Sequence, residues 1–440
     1  MVTLKPSTMR ACLLVSKLWY HTFLPILWHT YICPQMKNVP SEVIQRYSRH
    51  FRIFDSFSGH PGPFECTNMH LSEEQECLSL KTEKELVRAN TGVRMLYWFG
   101  PRPQVVLDPG DFGGLRSVRS VQLQHWVGSR GCLARTLKMM AGSMMSLELA
   151  WIFGLSAEEF LDPDGDDDGE AIAGPTTRRR RLMLPLVTKL RCALRYEGFR
   201  ELQGTIGCCP NLLELTINPD MYVDLDRIAR DIRVHCRKAQ ALTIEYLALH
   251  ASYCEQLVSS CRTSGLVKLD VILRSMDVSL VSAILAHAGT LQILRLSLQS
   301  FEHSTSHGLM QLLRGCTGLK ALFLKINVLP PTGTILEVLR GEPSWGCLRL
   351  EALQLITRTQ PADEEPDMAG DKEEEEEIEA LRGVLYETAV MGWCRRKADK
   401  DAWISEAEVD AVGLRKVVKM VEPLQQLKSL TWNYAEFCRP

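Results

Sequence analysis

The sequence lacks the motifs on which many enzyme classes depend. It contains no G-x-S-x-G, H-E-x-x-H, G-x-x-x-x-G-K-[ST] or G-x-G-x-x-G motif, and these mark serine hydrolases, zinc proteases, phosphate loops and dinucleotide sites. No stretch of about 18 apolar residues predicts a membrane-spanning helix. A net charge of −2 over 440 residues gives no overall attraction to nucleic acid or to an anionic membrane. We therefore predict a chain that is not an enzyme and binds no cofactor, nucleic acid or membrane.

The 15 cysteines are scattered and include no C-x-x-C pair. No secretory signal is predicted, because Lys17 cuts short the apolar stretch Ala11–Val15. A reducing compartment follows, in which most cysteines serve as small core residues. The expected location is the cytoplasm, and the nucleus is the alternative because Arg178–Arg181 is a short basic run of the kind found in import signals. Cys208 and Cys209 are expected to pack beneath a strand.

Two patterns that suggest metal binding are incomplete. His303 and His307 stand four residues apart, but the serines and threonine between them favour a loop, and no further ligand has zinc-like spacing. The run Asp164–Gly169 matches the first half of a calcium loop, but Pro175 stands where the twelfth position needs a glutamate. We predict no metal site.

A short apolar phrase recurs along most of the chain: a leucine-like residue is followed by others three and five positions later. Its copies are Val93-Leu96-Trp98, Val118-Val121-Leu123, Met144-Leu147-Leu149, Val187-Leu190-Cys192, Leu212-Leu215-Ile217, Ala239-Leu242-Ile244, Leu266-Leu269-Val271, Leu291-Leu294-Leu296, Leu319-Leu322-Leu324, Leu350-Leu353-Leu355 and Leu427-Leu430-Trp432. Most steps between the middle residues are 25 to 28 positions, within the range of leucine-rich repeats. Such a unit cannot bury its apolar face alone, so neighbouring units must stack.

The phrases therefore predict an α/β fold, a leucine-rich-repeat solenoid. Each phrase forms a short strand, and helix-like stretches such as Val281–His287 connect the strands. Parallel strands would line the concave face and helices the outside. An irregular first repeat is expected near His50–Phe54, after a helix that starts at Ser41.

Two longer steps, of 43 and 77 residues, interrupt the period. They contain acidic stretches at about 162–181 and 359–377, whose composition predicts disordered surface insertions. The second step is also expected to hold helices at 378–386 and 406–421, with one degenerate repeat among them. We predict two regions, a helical segment over residues 1–35 and the solenoid over residues 36–440.

The opening segment has a distinctive pattern. Ser7 is a candidate helix N-cap, apolar residues follow at helical spacing, and Pro25 is expected to start a second short element. The stretch Met9–Tyr20, followed by Pro25–Trp28, resembles the second half of an F-box. It is similar to the L-x-x-C-x-L-V-S-K-x-W…P-x-L-W pattern of fungal F-box proteins with leucine-rich repeats. The residues that carry the resemblance are Cys12, Leu14, Val15, Lys17, Trp19, Pro25 and Trp28.

This resemblance implies a function. Proteins of that family dock through the F-box on the Skp-family adaptor of an SCF-type cullin–RING ubiquitin ligase, and their repeats hold the target protein. It assigns adaptor binding to Cys12, Leu14, Val15, Trp19, Pro25 and Trp28. The family's first F-box helix should precede this segment, where only Met1–Pro6 stand, so either the start is incomplete or docking is weak or absent. The alternative is an N-terminal segment that only caps the solenoid.

The residue between the two inward positions of each strand is expected to project from the concave face. Adjacent parallel strands lie about 4.8 Å apart, so these residues would form one column. Its members are Tyr97, Gln122, Glu148, Arg191, Thr216, Thr243, Asp270, Arg295, Phe323, Gln354 and Thr431. Aromatic and arginine side chains anchor many protein interfaces, so we place partner binding on Tyr97, Glu148, Arg191, Asp270, Arg295, Phe323 and Gln354. The alternatives are a solvated face, a repeat scaffold or inhibitor unrelated to ubiquitin and, less favoured, a repeat-containing enzyme.

Overall fold

The structure is a computed structural model of the 440-residue chain. It describes residues 13–32, 36, 39–56, 83–99, 109–124, 132–150, 152, 182–193, 205–218, 225–245, 250–261, 265–300, 303–326, 346–357, 395–396, 429–432 and 435–438. The chain divides into two compact units. The N-terminal unit comprises Met1–Asp224 and Val234–Lys238, and the C-terminal unit comprises Leu225–Arg233 and Ala239–Pro440. The boundary expected between residues 35 and 36 stays a prediction.

The N-terminal unit contains a parallel sheet whose strands are adjacent in chain order. Its strands are β1 Thr30–Ile32, β2 Ile53–Asp55, β3 Met95–Phe99, β4 Ser120–Gln124, β5 Ser146–Ala150, β6 Lys189–Ala193 and β7 Glu214–Asn218. Its named helices are α1 Lys17–Leu27, α2 Ser41–Tyr47 and α3 Cys132–Met140, with 3₁₀ turns at Ser48–His50 and Pro109–Phe112. Residues 83–89 are also helical.

In the C-terminal unit, helices alternate with parallel strands. Helix α4, Leu225–His235, begins in this unit; it is followed by β8 Ala241–Ile244, α5 Ala251–Ser260, β9 Lys268–Leu273, α6 Val278–Leu285, β10 Ile293–Leu298, α7 His303–Gly315, β11 Ala321–Ile326 and β12 Ala352–Thr357. The later strands are β13 Arg395–Arg396, β14 Ser429–Trp432 and β15 Ala435–Cys438. Strand β14 extends the parallel order, β15 pairs antiparallel with β14, and β13 pairs antiparallel with β15.

The register of both sheets follows the apolar phrase. In the N-terminal unit, the middle residues pair in the order Leu96, Val121, Leu147, Leu190 and Leu215. In the C-terminal unit, the order is Leu242, Leu269, Leu294, Leu322, Leu353 and Leu430. The α/β class, the parallel strands and the helices between them are therefore confirmed.

A repeated backbone contact fixes this register at the start of each strand. The carbonyl of Val267 accepts hydrogen bonds from two successive amides of the next repeat, those of Gln292 and Ile293, at 2.8 and 3.0 Å. The carbonyl of Gln292 likewise accepts hydrogen bonds from the amides of Lys320 and Ala321. Equivalent pairs recur in the N-terminal unit, for example at the carbonyl of Arg94. The chain thus enters successive strands with the same geometry, which keeps the apolar residues on one face.

The two cores differ in composition. In the N-terminal unit, aromatic rings stack across the first strands: Tyr31 and Phe54 lie 4.4 Å apart between centroids, and Phe54 and Trp98 lie 6.2 Å apart. The core of the C-terminal unit is mostly aliphatic, with Leu269 and Leu294 fully buried. Burial of these side chains stabilises each sheet, since a fully buried Leu or Phe contributes roughly 1.5 to 3 kcal/mol.

Neither long step inserts a strand into the parallel order, although β13 lies within the second step and pairs antiparallel with β15. Leu147 pairs directly with Leu190, and Leu353 pairs directly with Leu430. The degenerate repeat expected within the second step therefore contributes no strand between β12 and β14, and the rest of that expectation stays a prediction. Both acidic stretches, 162–181 and 359–377, and the helices expected at 378–386 and 406–421 lie outside the described residues.

Two local expectations are wrong. Pro25 does not start a new element, because it lies inside α1, which continues to Leu27. The side chain of Ser16 caps this helix by accepting the amide hydrogen of Trp19 at 3.2 Å, and Ser7 lies outside the described residues. The stretch around His303 and His307 is helical rather than a loop, since α7 begins at His303.

Candidate protein-binding surface

Each sheet has one buried face and one partly exposed face. Along β9 the burial alternates residue by residue: Leu269, Val271 and Leu273 are buried, and the residues between them are half-exposed. The neighbouring strands β10 and β11 repeat this pattern. We call the partly exposed surface the open face of each unit. Because strand residues alternate between faces, its side chains stand side by side across adjacent strands.

The C-terminal open face contains a central column of paired residues. Its order from β8 to β14 is Thr243, Asp270, Arg295, Phe323, Gln354 and Thr431. The structure therefore brings the predicted partner-binding residues Asp270, Arg295, Phe323 and Gln354 together on adjacent strands. Whether they bind a partner remains a prediction.

Arg295 is held between its two neighbours in this column. Its guanidinium carbon lies 4.5 Å from the centroid of the Phe323 ring, within the range of a cation–π contact. On the other side, its Nη1 atom lies 3.8 Å from Oδ2 of Asp270. This is an ion pair but is too long for a hydrogen bond. The arginine is about half-exposed, with 48% of its side-chain surface accessible, so the pair itself contributes little stability.

Asp270 has a perturbed acidity. Burial raises the pKa of its carboxyl above the ordinary value, and nearby Glu245 raises it further, whereas Arg295 and Lys268 lower it. The net direction is upward because loss of hydration disfavours the charged form more than the two cations favour it. The arginine thus compensates only part of the cost of holding this carboxylate against the sheet.

The N-terminal open face carries a second column. Its order from β2 to β7 is Asp55, Tyr97, Gln122, Glu148, Arg191 and Thr216. The predicted residues Tyr97, Glu148 and Arg191 are thus also aligned. Burial raises the pKa of Tyr97, with smaller upward effects from Asp55 and Glu148.

Polar side chains in the N-terminal column form a hydrogen bond and an ion pair with one another. Oε1 of Glu148 accepts a hydrogen bond from Nε2 of Gln122 at 3.1 Å and lies 3.5 Å from Nη1 of Arg191. One row away, Lys189 and Glu214 form an ion pair at 2.9 Å. This internal pairing leaves the N-terminal open face mixed in charge and largely self-complementary.

The sequence analysis did not include the open-face residues two positions before and two positions after the C-terminal column, which form a further row on each side of it. Lys268 and Ile293 lie two residues before it on their strands, and Ile272 and Lys325 lie two residues after it. All four are half-exposed. Strict alternation, applied one step further along each strand, would have identified them.

The predicted adaptor-binding residues fall into two groups. Leu14 and Val15, just before α1, are 89% and 64% exposed, and Trp19 within it is 42% exposed. Leu18, not predicted, is 74% exposed and extends this apolar surface. We call these four residues the N-terminal apolar patch. Cys12 lies outside the described residues.

Pro25 and Trp28 lie at the other end of α1 and are half-buried. The Trp28 ring stacks on that of Tyr47 at 4.9 Å and lies 6.1 Å from Phe51. Leu24, which directly precedes Pro25, is buried. This end of the helix packs on the body of the N-terminal unit, which is a structural contact rather than a free surface.

The cysteines do not form a reactive site among the residues described. The nine whose side chains the structure describes are buried and are not disulfide-bonded, and Cys208 and Cys209 are buried as expected. Burial raises the pKa of Cys261 and of Cys316 to about 12 and that of Cys347 to about 11. Such thiols carry almost no thiolate at neutral pH, which makes them poor nucleophiles.

Within the described residues, no group of three or more His, Cys, Asp or Glu side chains is arranged to hold a metal ion. Within the same residues, no helix has both the length and the apolar character needed to cross a membrane.

Comparison with known proteins does not assign a family. No model of a known protein family matches the chain, and no curated protein matches it. The candidate function therefore depends on the geometry of the open faces and of the N-terminal apolar patch.

Proposed function

We propose that this chain is a non-catalytic protein-binding protein, a leucine-rich-repeat solenoid whose open faces hold a target. The single observation that carries this proposal is that partly exposed side chains form in-register columns on parallel strands. Parallel strands with one covered and one open face offer a rigid, extended surface, and repeat proteins use such surfaces for binding. The column Asp270, Arg295 and Phe323 provides the aromatic and arginine side chains that dominate affinity in many interfaces.

We further propose that the target is delivered to an SCF-type cullin–RING ubiquitin ligase. The N-terminal apolar patch supports this part, because exposed Leu14, Val15, Leu18 and Trp19 provide the apolar area that an adaptor helix could cover. In this role the chain performs no chemistry. It raises the effective concentration of the target near the activated ubiquitin of a partner enzyme.

Adaptor binding is tested by calorimetric titration of a purified Skp-family adaptor into the full chain. We expect a one-to-one complex. Combined Leu14→Glu and Trp19→Ala substitutions should weaken it about 30-fold or more, since an interface tryptophan commonly contributes 2 kcal/mol or more. Exposed His21, on the same helix, provides the matched control, and His21→Ala should leave the affinity unchanged.

A wild-type chain that does not bind the adaptor would remove the ligase role. The remaining function would be a repeat scaffold or inhibitor, with α1 acting as a cap. One observation favours this alternative: Leu24 is buried and Trp28 stacks on Tyr47. A cap needs those contacts alone, whereas an adaptor site also needs the N-terminal apolar patch.

A further inference from the structure

The two open-face arginines in the predicted columns differ in how their hydrogen-bond donors are used. Arg191 lies 3.5 Å from Glu148 in a group that also includes Gln122. The side chain of Arg295 donates no hydrogen bond to any residue that the structure describes, and the carboxylate of Asp270 lies 3.8 Å from its Nη1 atom. An arginine has five N–H donors in a planar fork. The edge formed by Nε and Nη2 of Arg295 is therefore available.

The position of this free edge is fixed in advance. Stacking on Phe323 at 4.5 Å restrains the guanidinium plane, and the Asp270 carboxylate attracts Nη1 from the other side. A restrained guanidinium loses less conformational entropy when it binds. Its planar fork matches the two oxygens of a carboxylate or phosphate, and such bidentate pairs are among the strongest hydrogen-bonded contacts.

The charge around Arg295 favours an anion. Lys268 lies on the preceding strand two residues before the column, and Lys325 lies on the following strand two residues after it. The three cations thus follow a diagonal with a spacing of about 8 Å between Cα atoms, given strands about 4.8 Å apart and about 3.3 Å per residue. Among the described residues, the three rows of the open face that contain these cations, from β8 to β12, include two carboxylates, those of Asp270 and Glu245. Cations therefore outnumber carboxylates there by three to two.

Apolar side chains adjoin the diagonal. Ile293 precedes Arg295 by two residues on β10, and Ile272 follows Asp270 by two residues on β9. Both are half-exposed. A bound segment with an acidic residue at Arg295 would thus meet aliphatic surface on either side, which suits an acidic residue flanked by apolar ones.

We propose that Arg295 anchors an anionic side chain in an extended acidic segment of the target protein. The anion is a carboxylate or a phosphorylated hydroxyl, bound by the Nε–Nη2 edge, with Lys268 and Lys325 attracting further negative charge. This inference rests on the proposed protein-binding role of the C-terminal open face and names the chemistry of its partner.

The test uses the full chain and three fluorescent nine-residue peptide pools. The central residue is glutamate, phosphoserine or glutamine; isoleucine stands two positions after it, aspartate four positions before it, and the other positions are randomised. Fluorescence anisotropy at low salt measures binding. We expect the glutamate or the phosphoserine pool to bind about tenfold or more tightly than the glutamine pool, and added salt to reduce the difference. A preference for the phosphoserine pool over the glutamate pool would identify a phosphorylated target. Equal binding of these two pools, both tighter than the glutamine pool, would identify an unmodified acidic target.

Substitutions assign the effect to the arginine. Arg295→Ala should remove the preference for an anion, and Arg295→Lys should lose most of it because an ammonium group cannot form the bidentate pair. Arg230→Ala, at an exposed position of helix α4 outside both columns, is the matched control and should change nothing. Equal binding of all three pools, or an anion preference that Arg295→Ala leaves intact, would overturn the proposal.

Failure here is separable from failure of the proposed function. The adaptor titration reports on the N-terminal apolar patch, which none of these peptides is designed to occupy. A chain that binds the adaptor but shows no anion preference would lose only the inference about Arg295. Unchanged urea unfolding of the Arg295 variants would exclude misfolding as the cause of lost binding.

Discussion

Replacement of Leu294 by alanine is expected to lower the free energy of unfolding of the C-terminal unit by about 2 to 5 kcal/mol. Leu294 is fully buried within β10 and pairs in register with Leu269 and Leu322. Loss of its side chain removes apolar contacts and leaves a cavity that the neighbouring strands can only partly fill. Hydrogen-exchange mass spectrometry of peptides covering β9 to β11 measures the effect as faster exchange.

The adjacent residue provides the control for this substitution. Arg295 points to the open face and is half-exposed, with a cation–π contact to Phe323 and a long ion pair to Asp270. Arg295→Ala should therefore change stability by about 1 kcal/mol or less. Comparable losses from the two substitutions would contradict the assignment of one residue to the core and the next to the open face.

In the N-terminal unit, we expect Phe54→Ala to destabilise the fold by about 3 to 5 kcal/mol. The Phe54 ring is fully buried and lies between Tyr31 and Trp98, on the first three strands. Its removal would break a continuous aromatic stack and expose Trp98 to a cavity. The tryptophan fluorescence of the chain, followed through a urea titration, should show an earlier transition.

Ile53 is the matched control for Phe54. It precedes Phe54 on β2 but is half-exposed on the open face, so Ile53→Ala should cost about 1 kcal/mol or less. If Phe54→Ala shifted the urea midpoint no more than Ile53→Ala, the aromatic rings would not form the core of this unit.

The strand positions could be predicted because the signal is redundant. Each phrase places apolar residues at alternating strand positions, and each copy must lie beside the next to cover its apolar face. A displacement of one residue would turn the whole apolar set to the open side. For these reasons Leu269, Leu294 and Leu322 pair as the periodicity predicts.

Helices and strands that do not follow the apolar repeat could not be predicted from its periodicity. Strand β1 has three residues and only one buried side chain, Tyr31, so the sequence offers no alternation to detect. Strand β15 pairs antiparallel with β14, and nothing in a parallel repeat predicts such a reversal. The helix through Pro25 was not predicted because proline usually breaks or kinks a helix beyond its first turn, whereas α1 continues for two residues after Pro25.

The same distinction applies to the candidate site, whose strand register could be predicted from the sequence and whose side-chain geometry could not. Alternation predicts that Asp270, Arg295 and Phe323 are neighbours, because it depends only on register. The stacking of Arg295 on Phe323 and its unused Nε–Nη2 edge depend on side-chain rotamers, which the sequence does not specify. Similarly, the F-box-like pattern contains both Trp19 and Trp28, but only the folded structure distinguishes the exposed Trp19 ring from the packed Trp28 ring.

The central claim is that two separate surfaces of this chain hold two different proteins. Quantitative affinity purification of the tagged full chain, followed by mass spectrometry, tests it most directly. Combined Arg295→Ala and Phe323→Ala substitutions should release the target and retain the adaptor, whereas Leu14→Glu with Trp19→Ala should do the reverse. Tyr253→Ala, at an exposed position of helix α5, should release neither. Partners that survive both double substitutions, or that Tyr253→Ala releases equally, would contradict the claim.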